Sequence, residues 1–323
     1  MAPVSSAQPD GPLHAVTGAL GYTGRSLTEQ ILARGGRVRA LTNSPLRPNP
    51  FGSRVEVQPL AFGDAGALEA SLRGVEVLFN TYWVRFNHRL FKFGEAVRNS
   101  RVLFEAAGRA GVRRIVHVSI LHSREADDLG YYRGKHLVED ALRASGVPHA
   151  ILRPGVLFGR HDILINNIAW TLRHLPIFGV FGDGAYRLRP FHVDDMARLM
   201  IEHAGREGCT EADAVGPETF TFLELARMLC RILGIRRVVV GMPPSLALTV
   251  ASCLNPFVRD TVITRQEVQG LMRNLLDSPA PSPVLHPIRL TEWAAQHSDQ
   301  LGQKYHSEVA RRINREAAYE QLR

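Results

Sequence analysis

The sequence predicts an α/β fold: a Rossmann-type doubly wound parallel sheet with a smaller C-terminal substrate region. Three observations carry that prediction. Short apolar runs of strand length alternate with helical patterns through the first two-thirds of the chain. The first apolar run, Leu13 to Val16, feeds directly into Thr17-Gly18-Ala19-Leu20-Gly21-Tyr22-Thr23-Gly24-Arg25. A helical pattern, Ser26 to Ala33, leaves that turn at once. Strand, glycine turn and helix are the context in which a loop can cradle a dinucleotide pyrophosphate. Gly18 allows the tight turn, Gly21 opens the backbone to the phosphates, and Gly24 lets the helix pack close to the sheet. The helix N-terminus adds free N–H groups and a positive dipole end, with the backbone of Tyr22 and Thr23 nearest.

Bulk properties narrow the class. The 323 residues are 45% hydrophobic and 22% charged, an ordinary globular balance. No apolar run reaches the roughly 20 residues needed to span a bilayer. The start of the chain is rich in Pro, Ser, Ala and Gly and reads as a loose tail, not a signal peptide. The cysteines Cys209, Cys230 and Cys253 lie far apart and form neither metal-ligand spacing nor a disulfide framework, which points to the cytoplasm. The net charge is +8, mostly from arginine. No basic run interleaved with aromatics and no DNA-binding motif accompanies it, so an anionic cofactor is preferred over nucleic acid as its object.

The remaining elements follow in order. Arg37 to Leu41 reads as the second strand, ending at Thr42, Asn43 and Ser44 with Arg47 just beyond. An acid there would bind a ribose 2′-hydroxyl. Its replacement by Thr42 and Asn43 favours NADP over NAD, although the same residues serve as turn formers before Pro45. Val55 to Pro59 is a third strand, and Asp64 caps a helix from Ala65 to Leu72. Val75 to Asn80 is a fourth strand, after which Asn80 and Tyr82 could line a ligand or pack in the core. A helix from Phe91 to Ala110, a fifth strand from Ile115 to Ser119, a helix from Tyr131 to about Ala144 and a sixth strand from Ala150 to Leu152 continue the alternation. Ile163 to Leu175 is a further helix, Gly179 to Arg189 a loop, and Met196 to Ala204 a helix capped by Asp194 or Asp195. A last strand at Ala214-Val215, a helix from Phe222 to Leu233, an apolar piece from Leu246 to Leu254 and a charged helix from Glu308 complete the chain.

Tyr131 and Lys135 are four apart on one helix, hence on the same face. An ammonium beside a phenol lowers its pKa from near 10 towards a range useful for acid/base work. Tyr132, about 100° round the helix, is assigned to packing.

Taken together, the glycine turn, the strand ending in Ser119, the Tyr131/Lys135 helix, Leu152-Arg153-Pro154-Gly155 and Phe191-His192-Val193-Asp194-Asp195 resemble the extended and atypical short-chain dehydrogenase/reductases of the NAD-dependent epimerase/dehydratase grouping. The closest look is to the atypical branch that includes NmrA-like proteins and the NAD(P)H-binding accessory subunit of respiratory complex I. The resemblance spans roughly Leu13 to Gly216. It implies Tyr131 as acid/base and Lys135 as its partner and ribose ligand; Ser119, or His122 or Ser123 from the loop after it, could reach the substrate oxygen. It also implies pyrophosphate on Gly18, Gly21 and Gly24, with Pro154 beside the nicotinamide. One position departs from the pattern: Ile120 stands where many relatives carry a second Ser or Thr. Arg187 and Arg189 occupy the neighbourhood from which relatives acting on nucleotide sugars take a phosphate-binding arginine, and Asn166, Asn167 and Trp170 are candidates for a substrate pocket.

The expected organisation is a flexible tail over 1–12 and an NAD(P)-binding domain over 13–160 to which 190–217 return. A smaller region is built from 161–189 and 218–323. The expected activity is hydride transfer to or from a carbonyl/alcohol carbon of a small-molecule substrate. The alternatives are a non-catalytic NAD(P)H-binding structural or redox-sensing protein, which Ile120 favours, and an epimerase or dehydratase acting on a sugar-like substrate. No metal and no integral membrane segment are expected; Leu246 to Leu254 reads most simply as a buried helix, with docking to a protein or a membrane surface as the alternative.

Overall fold

The computed structural model describes residues 11–322, so most of the expected tail lies outside the described residues. Chain order begins β1 (Leu13–Thr17), α1 (Tyr22–Ala33), β2 (Arg37–Thr42), β3 (Val55–Pro59), α2 (Ala65–Leu72), β4 (Val77–Asn80), α3 (Phe93–Arg109), β5 (Arg114–Val118), α4 (Gly130–Ala144) and β6 (His149–Pro154). It continues with β7 (Val156–Phe158), α5 (Leu164–His174), β8 (Ile177–Phe181), β9 (Arg187–Leu188), β10 (Pro190–His192), α6 (Val193–Ala204), β11 (Thr210–Ala214), β12 (Phe220–Thr221) and α7 (Phe222–Ile232). The rest is β13 (Val238–Met242), α8 (Pro244–Val258), α9 (Arg265–Met272), α10 (Leu290–Gln296) and α11 (Glu308–Ile313).

Seven strands form one parallel sheet in the order β11-β6-β5-β4-β1-β2-β3. Its strands are apolar because both faces are covered: every residue of β4 and of β5 is buried. One face packs on α1 and α6 through Leu27, Ile31, Met196 and Met200; the other packs on α2, α3 and α4 through Leu68, Leu103, Phe104 and Val138. The expected α/β doubly wound sheet is borne out. Strand order reverses between β1 and β4, so a crevice opens at their C-terminal ends.

A further apolar cluster lies outside the sheet. It joins α5, β8, α7 and parts of α8 to α10 through residues such as Ile165, Leu172, Val180, Leu225, Leu271 and Leu290. The expected loop from Gly179 to Arg189 is partly strand, because β8 pairs in parallel with β13 some 60 residues on. A local reading of residues 179–189 cannot see that partner. Met242, from β13, lies over Gly179, where a Cβ would stand 2.3 Å from its Cε, so a larger residue there would displace the methionine. Asp64 caps α2 as expected, accepting from Ala67 N at 2.9 Å. The cap of α6 is not Asp194 or Asp195 but His192, whose Nδ1 accepts from Asp194 N at 3.2 Å. Asp194 is spent on Ser26 Oγ and Asp195 on Ile288 N, both tying α6 to neighbouring segments.

Candidate functional site

A single cavity of about 1640 Å³ runs along the C-terminal edge of the sheet, from the glycine turn past α4 and on beneath α8. Gly18, Gly21, Tyr22, Thr23 and Gly24 line one end, Thr42 and Asn43 flank them, and Ser119, Tyr131, Lys135 and Pro154 line the middle.

The glycine turn has the geometry its sequence calls for. Gly18 sits at φ +68°, and its N–H donates to Leu41 O. A Cβ on Gly24 would lie 2.3 Å from Gly18 O, so only glycine lets α1 begin so close to β1. Among the described residues no backbone carbonyl accepts from the N–H groups of Tyr22, Thr23 or Gly24, and α1 has neither a capping side chain nor an acid in its first turn. That end of α1 is open to an anion. The strand ends beneath it are locked together: Thr17 Oγ1 donates to Asn80 Oδ1 at 3.0 Å, and Thr81 Oγ1 donates to Thr17 O at 2.6 Å. Asn80 is fully buried, off the cavity wall, with its Nδ2 on His117 Nδ1 at 3.1 Å. It fixes the floor of the site from within the sheet, whereas Thr81, Tyr82 and Trp83 carry the wall.

Lys135 is buried, donates to Val118 O at 2.7 Å and holds Nζ 5.0 Å from the Trp83 ring. Burial brings its pKa down to about 7, although Glu139 works in the opposite direction. Tyr131 stands edge-on to Trp83 and Phe93, at ring distances of 6.0 and 5.9 Å. Its pKa is pushed well above 10, first by burial and then by Tyr132, Glu267 and Glu308. This corrects the expected lowering: desolvation in an aromatic box dominates, the opposing cation is Arg85 and not Lys135, and Tyr131 stays a phenol across neutral pH. Tyr132 packs with Ile120, Ala126, Leu129 and Leu275, as assigned, while also reaching the cavity wall.

Ser119 is committed elsewhere. Its hydroxyl donates to Glu139 Oε1 at 2.5 Å, and Glu139 also receives Ser123 Oγ and both arms of Arg153. Burial would raise the pKa of Glu139, but the Arg153 and Ser119 hydrogen bonds outweigh it and hold the carboxylate at about 2. A buried ion pair thus braces α4 against β6 directly behind Lys135.

The C-terminal segment, from Ser307 to Leu322, crosses the nucleotide end of the cavity; nothing in its composition announced this. Arg312 donates to Trp83 O at 2.8 Å, Arg315 to Asn43 O at 3.4 Å and Arg311 to His161 O at 2.7 Å. Arg47 donates back to Arg311 O and Asn314 O. The guanidiniums of Arg47 and Arg311 flank the Tyr319 ring at 5.7 and 4.7 Å. Arg47 is only 7% exposed; its Nε and that of Arg311 have no acceptor, and neither side chain makes a salt bridge among the described residues. Two uncompensated cations share a rim with the open end of α1.

Other candidates lie elsewhere. Arg189 is spent on the carbonyls of Ser278, Ala280 and Gly216, and Arg187 pairs with Asp277. Asn166 and Asn167 hold the C-terminal segment through Lys304 O and His306 O, with Asn167 also on the cavity wall. Among the described residues no cluster of His, Cys, Asp or Glu could hold a metal, and no helix is long and apolar enough to cross a membrane.

Residues 18–163 match a family model described as NAD(P)H-binding. A (4-alkanoyl-5-oxo-2,5-dihydrofuran-3-yl)methyl phosphate reductase of Streptomyces griseus is 28% identical over 88% of this chain and 97% of its own length. A ceramide reductase of Caulobacter vibrioides is 27% identical over 85% of this chain and 88% of its own. A mitochondrial NADH dehydrogenase 1 alpha subcomplex subunit 9 of Arabidopsis thaliana is 25% identical over 68% and 57%. Among solved structures, the triphenylmethane reductase of Citrobacter sp. complexed with NADP(H) shares the fold with a TM-score of 0.73, over 88% of this chain and 99% of that one, at 18% identity. The resemblance to the atypical short-chain dehydrogenase/reductases is borne out, and residues 18–163 are a nicotinamide-nucleotide-binding domain of a reductase-like protein.

Proposed function

We propose that this protein is an NADPH-dependent oxidoreductase that reduces a carbonyl group, with Tyr131 as proton donor and Lys135 as its support. The observation that carries this reading is the single cavity joining the glycine turn to Tyr131 and Lys135 and continuing beyond them. The residues present fit a dinucleotide: α1 offers free N–H groups, Gly24 lets that helix start close against the β1 turn, and Arg47 and Arg311 carry charge without an ion pair among the described residues. When bound, the nicotinamide supplies the hydride.

The chain's own residues do the rest. Gly18, Gly21, Tyr22, Thr23 and Gly24 hold the pyrophosphate, and Pro154 shapes the nicotinamide end. Thr42 and Asn43 face the adenosine ribose, with Arg47 and Arg311 as ligands of a 2′-phosphate. Tyr131, kept protonated by its apolar surroundings, donates its proton to the carbonyl oxygen. One N–H of Lys135 is pinned on Val118 O, leaving the others for a ribose hydroxyl and the phenol. Trp83 Nε1, buried without an acceptor on the cavity wall, is a further donor.

A non-catalytic reading has one observation in its favour. The position beside the substrate oxygen is filled by Ile120, and Ser119 gives its proton to Glu139. One experiment separates the two readings. Nucleotide binding is measured by fluorescence titration, and a carbonyl series is screened with wild type and Tyr131→Phe. Binding with turnover that Tyr131→Phe abolishes supports the reductase. Binding without turnover supports the alternative, and failure to bind NADPH or NADH removes both.

A further inference from the structure

Beyond Tyr131 the cavity changes character. Its far arm is walled by Ile168, Phe178, Met242, Val250, Leu254 and Ile263, and its volume exceeds the roughly 300–1,000 Å³ usual for small-molecule sites. The arm ends beneath α8. That helix has fifteen residues and no charged side chain, and only Ala247 in it is buried. Its inner side closes the cavity, yet along the flank that Val250 shares, itself 46% exposed, Leu246 is 51% exposed and Phe257 84% exposed. Ile177 and Val238, on the adjoining strands β8 and β13, are also bare. A surface helix of a globular protein turns a polar, usually charged, face to water; the outer face of this one carries only the uncharged Ser245, Thr249 and Ser252, and its flank is apolar.

The charge of the chain segment that carries it is one-sided, with Arg259 at its C-terminal end. From Leu225 to Arg259 there is no Asp or Glu, whereas Arg227, Arg231, Arg236, Arg237 and Arg259 all fall in that stretch. At about 1.5 Å per residue, α8 is about 22 Å long, short of the roughly 30 Å hydrocarbon core. It can lie in an interface but not cross it. An apolar surface bordered by arginines, continuous with an apolar cavity, complements an anionic lipid surface and not another basic protein.

We propose that α8 and the adjoining edge of β8 and β13 dock on an anionic membrane, and that the substrate is a lipid. Its alkyl chain enters beneath α8 into the apolar arm, while its carbonyl group reaches Tyr131. The docking half stands on the surface alone; the substrate half rests on the reductase reading above.

The test has two arms. In flotation with phosphatidylcholine vesicles containing phosphatidylglycerol, the full-length chain rises with the vesicles, and much less with phosphatidylcholine alone. The double variant Leu246→Asp/Phe257→Asp, altered only at exposed positions, loses at least tenfold in partitioning while its NADPH affinity is unchanged. Wild type that stays in solution, or a variant that floats equally well, overturns the docking. So does a wild-type dimer that the variant converts to monomer, because a second copy then covers α8. In the second arm, kcat/KM for straight-chain methyl ketones rises about fourfold per methylene added, and a flat series overturns the lipid assignment. If no ketone is reduced and no nucleotide binds, the reductase reading falls with the substrate half, while flotation still decides the docking.

Discussion

Replacing Arg311 by alanine tests the nucleotide end most directly. Arg311 and Arg47 stand on either side of Tyr319 with no carboxylate in salt-bridge range among the described residues. Burial, and after it Arg311, bring the Arg47 pKa down against Tyr319. A dianion in contact with both guanidiniums relieves that repulsion. A hydrogen bond to a charged group contributes roughly 1.5–3 kcal/mol, and the near-complete burial of Arg47 keeps solvent from screening the pair. Loss of one such bond corresponds to about a 10- to 150-fold rise in Kd. The expected result for Arg311→Ala is a loss of that size for NADPH, with NADH changed less than twofold. Arg311→Lys restores part of the affinity, since it returns the charge without the planar fork.

The assay is titration of intrinsic fluorescence with each nucleotide, with 2′,5′-ADP as a probe that lacks the nicotinamide. Wild type prefers NADPH, and 2′,5′-ADP raises its melting temperature more than 5′-AMP does. An equal loss for NADH and NADPH assigns Arg311 to the pyrophosphate and refutes the 2′-phosphate reasoning. So does tighter binding of NADH by wild type.

Three further outcomes follow from the centre of the site. Tyr131→Phe leaves NADPH affinity within twofold but lowers kcat by about 10²- to 10⁴-fold, the usual worth of a positioned proton donor; steady-state rates and fluorescence titration check both halves. Lys135, at about 7 in the fold against 10.5 unfolded, binds fewer protons when native between those values. Stability therefore rises with pH through that window, by up to about 1.4 kcal/mol per pH unit, and Lys135→Met removes the slope in denaturant melts at pH 7, 8 and 9. Arg153→Met leaves the buried Glu139 one cationic partner, the more exposed Arg143 at 3.1 Å from Oε2, beside Ser119 and Ser123; it costs about 3 kcal/mol in urea unfolding at neutral pH, where the carboxylate is ionised and has lost its two-pronged partner.

The core of this architecture was legible because it is local. Strand, glycine turn and helix sit in consecutive residues, and Gly18 and Gly24 are there for steric reasons that any chain entering such a turn must meet. Tyr131 and Lys135 are one helical turn apart, so their common face also needs no tertiary knowledge. What escaped was set by partners distant in sequence. The direction of the Tyr131 pKa depends on Trp83 and Phe93, which arrive from the β4 end and α3. The occupation of Ser119 depends on Glu139, on the far side of Lys135 along α4. Asn80 reads as a wall residue from its place at a strand end, yet Thr17 and His117 draw it into the sheet. The C-terminal arginines offered only charge, which in an arginine-rich chain carries no positional signal.

Those arginines make a kinetic prediction. Arg312 donates to Trp83 O at the end of β4, and Arg315 to Asn43 O at the end of β2. The segment between them therefore bridges the two walls of the crevice that opens above β1. Arg312 is itself held by Glu308 at 2.5 Å and lies 5.2 Å from the Phe91 ring, so it is the firmer of the two anchors. A nucleotide seated on the glycine turn lies beneath this strap and leaves only when it lifts. Removing Arg312 forfeits about 2 kcal/mol of strap closure, the worth of one hydrogen bond from a charged donor, since its ion pair with Glu308 lies within α11 and does not cross to the wall. NADPH dissociation in Arg312→Ala is then roughly 30-fold faster, measured by stopped-flow displacement with excess NADP, while Arg315→Ala, with its longer bond, changes it only a few-fold. Since Arg312 touches neither phosphate in this account, the NADPH-over-NADH preference survives the change. An unchanged dissociation rate would show that the nucleotide leaves by the substrate end of the cavity, and that the strap selects the cofactor without gating it.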